Sequence, residues 1–260
     1  MNRFLHILFA TVFVLWSTAS KSVAQEYAVF GPYFHYTFDF HSANFQQLPG
    51  VPSCCPRYGS GSGNTIGLGF LSLFPLTNQF EIGVRGGYEK ATGILSRTEE
   101  TTVFNNGPVT GAFEHTLNVT MTDIIIEPML GYRLINGLIV HLGISTRILL
   151  STTYDQAETI VKPQDAGTFL DSTGSDTHSR IRNQYSGEIP GVSSLQFALT
   201  PSIAYRLPLD NEGSFFLQPE LSYVFGLTSI GKDLDWKVNS FRLSLAIVTT
   251  NLTRPPSKEK

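Results

Sequence analysis

From Leu138 to Tyr154 the chain alternates between two faces, with Ile139 and Leu149 the apolar members of the otherwise polar one, and this run constrains the fold more than any other feature. Leu138, Val140, Leu142, Ile144, Ile148 and Leu150 fall on one face, and His141, Gly143, Ser145, Arg147 and Ser151 on the other. Strict alternation has the period of an extended strand with two different faces, and it is incompatible with a helix. The run is also far longer than the usual strand of about 5–6 residues.

The same pattern recurs in seven other segments. Strand one carries Phe30, Pro32, Phe34, Tyr36, Phe38 and Phe40; strand two Ile66, Leu68, Phe70 and Phe74; strand three Phe80, Ile82, Val84 and Tyr88. Strand four has Ile124, Ile126, Leu130 and Tyr132; strand six Leu195, Phe197, Leu199, Ile203 and Tyr205. Strand seven has Phe215, Leu217, Leu221, Tyr223 and Phe225, and strand eight Phe241, Leu243, Leu245 and Ile247. Pro201 and Pro219 fall inside these patterns and count against ideal pairing there, because proline cannot donate to a ladder.

Connections alternate in length. Leu76 to Gln79, Asn136-Gly137 and Leu209 to Gly213 are short, and Asn-Gly is a strong two-residue hairpin signal. His41 to Gly61, Ser96 to Ala112, Asp155 to Val192 and Leu227 to Lys237 read as long polar loops, with Asp155 to Val192 the chief mobile one. Short turns at one end and long loops at the other are the layout of a transmembrane barrel. The expected fold is therefore all-β: an eight-stranded antiparallel up-and-down transmembrane β-barrel, with the short turns and both termini on the periplasmic side.

The polar faces decide which side meets lipid. They are rich in Gly, Ser and Thr, and carry Arg85, Arg133, Arg147, Arg206 and Arg242 against Glu81, Glu89, Asp123, Glu127 and Glu220. Five of each sign, with no lysine, suit buried pairing, since the guanidinium fork matches carboxylates. An eight-stranded barrel is just wide enough for side chains to fill. A closed lumen holding an Arg–carboxylate network follows, because unpaired buried charge is costly.

The first residues read as a cleavable export signal over 1–24. Arg3 is the positive start, Phe4 to Trp16 the apolar stretch, and Ser22-Val23-Ala24 the small-residue cleavage site, placing the mature start near Gln25. The apolar stretch is short for a membrane-spanning helix of roughly 20 residues. The barrel is assigned to 25–252 and a short polar periplasmic tail to 253–260. Charged residues make up 15% of the 260, with a net charge of −3, so nothing points to a nucleic-acid partner.

Cys54-Cys55 is the most unusual local motif. In an oxidising compartment the pair should not persist as two free thiols. Adjacent Cα atoms lie about 3.8 Å apart, below the usual disulfide range of about 4.4–6.8 Å. A vicinal disulfide would be strained, and its expected role is a clip on the first long loop. No His or further Cys accompanies the pair at metal-ligand spacing. His35 and His141 fall on lumen faces as polar core positions. His178 sits near Asp176 and Ser179 in the longest loop, a grouping too weak to read as a catalytic triad. No cofactor, metal or catalytic residue is expected.

The segment from Leu48 through Pro75, in which the Cys54-Cys55-Pro56 loop leads into a strand with alternating Gly63, Gly67 and Gly69, resembles the outer-membrane barrel domains of Bacteroidota. The eight strands, short turns and polar lumen also look like the barrel half of the OmpA family. That resemblance implies a cell-envelope protein of the bacterial outer membrane. It would be lodged in lipid, inserted by the barrel-assembly machinery and monomeric. The peptidoglycan-binding domain that often follows such barrels has no counterpart in the polar tail, and the last strand lacks the terminal Phe that assembly machinery reads. The expected role is structural or surface-interaction, through an extracellular partner the residues do not name. A narrow, porin-like pore is the alternative, and an enzyme at the outer rim a weaker third.

Overall fold

The computed structural model describes residues 27–53, 57–135 and 137–250. The export signal, Cys54, Cys55 and the polar tail from 253 lie outside these described residues.

Every regular element is a strand: β1 (Val29–Ala43), β2 (Gly61–Pro75), β3 (Phe80–Phe104), β4 (Pro108–Ile135), β5 (Leu138–Lys162), β6 (Ile181–Glu188), β7 (Leu195–Tyr205), β8 (Leu207–Pro208), β9 (Phe215–Gly226) and β10 (Trp236–Thr249). All pairings are antiparallel, in the order β10-β1-β2-β3-β4-β5-β7-β9, and β9 pairs back to β10. Eight strands thus close a barrel, which leaves no open edge within the ring. Pro201 leaves its mark on the β7–β9 ladder, where pairing runs from Leu199↔Phe225 to Ser202↔Ser222 with nothing between.

Two expected loops turn out to be largely strand. β3 and β4 pair continuously up to Phe104↔Pro108, so Ser96 to Ala112 is the top of a hairpin. In Asp155 to Val192, β5 continues to Lys162 and the chain returns as β6 along β5. The upper parts of β3, β4 and β5, with β6, therefore form a four-stranded sheet that rises beyond the barrel at the long-loop end. A small core of Val103, Phe113, Ile160 and Phe169 steadies it, and Arg182 stacks its guanidinium 4.1 Å from the Phe169 ring centroid.

The two barrel faces differ sharply. Outward-pointing Phe34, Leu68, Phe70, Ile126, Leu142, Ile144, Phe197, Leu221, Leu243 and Leu245 are each at least two-fifths exposed. With Ile82 and Val84 on β3 they girdle every strand of the ring. The inner wall is polar and packed. Glycine makes the room: a Cβ on Gly67 would lie 2.2 Å from the His35 ring, and one on Gly131 would lie 2.7 Å from both His141 and Glu81.

Candidate functional site

The ten charged residues of the lumen faces all lie on the inner wall, and ladder register sorts them into three groups along the barrel. Nearest the short-turn end, Glu81 on β3 is buried and receives three partners. Arg206 reaches it at 2.9 Å, Arg133 at 2.9 Å, and His141 Nε2 lies 3.2 Å away. Arg206 also donates to Gln218 at 3.0 Å.

In the middle, Arg85 and Arg242 share two carboxylates. Arg85 donates to Glu220 at 2.5 Å and lies 3.3 Å from Glu127. Arg242 donates to both Glu127 oxygens at 2.9 Å. Ser222 donates to Glu220 at 3.0 Å. All four charged side chains are 2% exposed. Such burial is tolerable only because each carboxylate has more than one donor.

Toward the long-loop end, Arg147 grips Asp123 with two donors, at 3.2 and 2.6 Å, and lies 3.4 Å from Glu89. Glu89 in turn lies 3.0 Å from His35 Nε2. Asp39 belongs to the inner wall as well, and sequence reasoning passed over it. Its carboxylate accepts from Thr37 at 2.8 Å, Thr65 at 2.7 Å and Ser240 at 2.5 Å. The signal was available, since Asp39 shares parity with His35 on β1.

Above the charges sits an apolar plug. The described parts of the β1–β2 connection, 44–53 and 57–60, pack against the inside of the barrel, burying Phe45, Leu48, Val51 and Tyr58 against Leu117, Met121, Ile189, Ile230, Leu234 and Trp236. Trp236 is completely buried and donates its indole N–H to His41 Nδ1 at 3.0 Å. Polar bonds pin the plug to the wall. Tyr58 donates to Gln156 Oε1 at 3.2 Å and is hydrogen-bonded to His115 Nε2, while Gln156 donates to the Pro52 carbonyl at 3.0 Å.

That latch is pH-sensitive. Desolvation holds the His115 imidazole below its ordinary pKa, with Glu158 opposing more weakly. A histidine depressed in the folded state stabilises it fully above its unfolded pKa of about 6.5. The contribution is lost as pH falls from there through the lower folded value. Acidification across this window should therefore loosen the plug, read as a shift in Trp236 fluorescence. A His115→Gln variant should lose the part of the pH response that His115 supplies, leaving whatever His41, bonded to the indole, contributes, and an unchanged titration would refute the latch.

His178 pairs with Asp176 at 2.9 Å on the exposed tip, and Asp176 also accepts from the Thr168 hydroxyl. Among the described residues no group of three or more His, Cys, Asp or Glu could hold a metal ion.

No family model matches the chain, and no curated protein matches it either. Among solved structures it is similar to the attachment invasion locus protein of Yersinia pestis, at 8% identity over 86% of this chain and 99% of that one, with a TM-score of 0.32. Neisserial surface protein A is similar at 11% identity over 86% and 99%, with a TM-score of 0.34. Outer membrane protein AlkL is similar at 12% identity over 88% and 93%, with a TM-score of 0.35. Scores this low carry no functional argument.

Proposed function

We infer that this chain is a bacterial outer-membrane β-barrel with a closed, salt-bridged lumen, and that its role is structural or surface-interaction. One observation carries the reading: the apolar girdle around a closed barrel whose five arginines and five carboxylates of the lumen set point inward. A soluble protein rarely exposes a contiguous apolar patch beyond a few hundred Å², whereas a lipid-facing barrel requires such a band. The partners on this reading are outer-membrane lipid and the assembly machinery that inserts barrels, with the protein acting as a monomer.

Two successive fillings support closure over a pore. The charge groups occupy the lumen, and the plug seals it toward the long-loop end. A detergent-folded sample should shift in gel mobility on heating, and the protein in planar bilayers should not conduct. A water-soluble monomer would overturn the membrane assignment. Steady conductance in the unmodified protein would put the narrow pore in place of the closed scaffold.

A further inference from the structure

The four-stranded sheet above the barrel is charged unlike the rest of the chain. Residues 96–116 and 155–188 hold nine acidic residues against four basic ones, a net of −5 in a protein whose total is −3. A surface field of that sign attracts cationic partners and repels anionic ones.

The sheet ends in two edges, and they are protected differently. Above Leu95, β3 pairs with β4 and, at Phe104, bridges to Thr168, and its edge carries Arg97, Glu99 and Glu100. Charged residues on an edge discourage further pairing. β6 pairs only with β5 among the described residues, and from Asn183 to Gly187 it has no charge at all. Ladder geometry says which groups are open. Ile189 donates to the Thr152 carbonyl, so bonded pairs recur at every second position down the ladder. This turns the backbone N–H and C=O of Ser186 and Glu188 away from β5, toward the free edge.

Beside that edge lies a recess of about 320 Å³. Asn118, Asp155 and Ser186 stand in one row across β4, β5 and β6, with Ala157 and Gln184 bordering them. The Asp155 side chain has no hydrogen bond or ion pair among the described residues. A strand added to β6 would run about 4.8 Å beyond it, which puts Asp155 within reach of a long basic side chain laid across Ser186.

We propose that the free edge of β6 is a docking edge for an extended, basic segment of a partner protein, which adds as a further strand and seats a Lys or Arg in the recess at Asp155. Backbone pairing supplies the attachment, and alternate side chains supply the selectivity. The inference rests on the surface-interaction reading and gives that reading a partner chemistry.

The probe is a short peptide alternating Lys and Thr, titrated against the detergent-folded full chain by isothermal calorimetry. It should bind saturably, and the Glu-Thr peptide should not. Asp155→Asn should weaken binding about three- to fivefold, the size of one exposed charge pair. Ser186→Pro should weaken it about tenfold or more, because it removes an edge donor without touching the β5 ladder. A Lys-Thr peptide N-methylated at alternate residues should fail to bind. Equal binding of the N-methylated peptide would reduce the effect to bulk charge and overturn strand addition. Unchanged affinity in both variants would overturn the site. Both variants alter solvent-exposed positions, so each should keep the heat-shift of the folded barrel. Loss of that shift in the unmodified protein would sink the barrel reading itself, whereas an intact shift without peptide binding sinks this inference alone.

Discussion

Replacing Arg85 with Met is expected to lower the unfolding free energy of the barrel by about 3–5 kcal/mol, the cost of leaving a buried charge without its partner. Arg85 is 2% exposed and links two carboxylates from different strands. Glu127 keeps both of its contacts from Arg242, so it is not stranded. Glu220 keeps only Ser222 at 3.0 Å and His141 Nδ1 at 3.7 Å. The penalty therefore falls on Glu220, and it is relieved by neutralising that residue. The double variant Arg85→Met, Glu220→Gln should recover most of the loss in urea unfolding from detergent. If the double variant is as unstable as the single one, the cost comes from lost packing against Tyr33, whose ring centroid lies 5.5 Å from the guanidinium carbon.

Parity made much of this architecture legible. Leu142 is half exposed and its neighbour His141 is 4% exposed, which is the contrast that alternation implies. The same logic separated the ten lumen charges from the apolar girdle without any knowledge of pairing. It failed where the physical cause of the pattern stops. Above the girdle the buried face mixes polar Gln156 and Glu158 with apolar Ile160 and the outer face turns polar, so Ser96 to Phe104 and Asp155 to Lys162 lose their apolar period and read as loops. Their long hairpin pairing is invisible to a periodicity argument, because the face it buries carries charged and amide side chains as well as apolar ones.

The plug was hidden for a different reason. Phe45, Leu48, Val51, Ile230 and Leu234 are apolar residues scattered through irregular segments, with no period to mark them. They come together only because the barrel wall brings the β1–β2 and β9–β10 connections to the same rim. Trp236 falls inside Leu227 to Lys237, which reads as a long polar loop. Its burial shows that the indole belongs to the interior seal, with His41 as its partner.

Trp236→Ala is expected to cost about 3–5 kcal/mol, as a fully buried aromatic leaves a cavity its neighbours cannot fill. The loss also removes the indole's hydrogen bond to His41. Despite this weakening, the variant should stay silent in planar bilayers. The plug and the charge groups are barriers in series, and ions that pass the first still meet Arg147, Arg242 and Arg85 locked to their carboxylates. Arg85→Met alone should be silent for the converse reason, since the plug above it is intact. Combining Trp236→Ala with Arg85→Met breaches both, and only that pair should give steady conductance. Circular dichroism should show the strand content retained, because neither side chain contributes to the ladders. Conductance from Trp236→Ala alone would mean that the charge groups leave a water path and that the plug is the sole gate. Silence in the double variant would mean that the remaining lumen charges, Glu81 with Arg133 and Arg206 above all, close the barrel unaided.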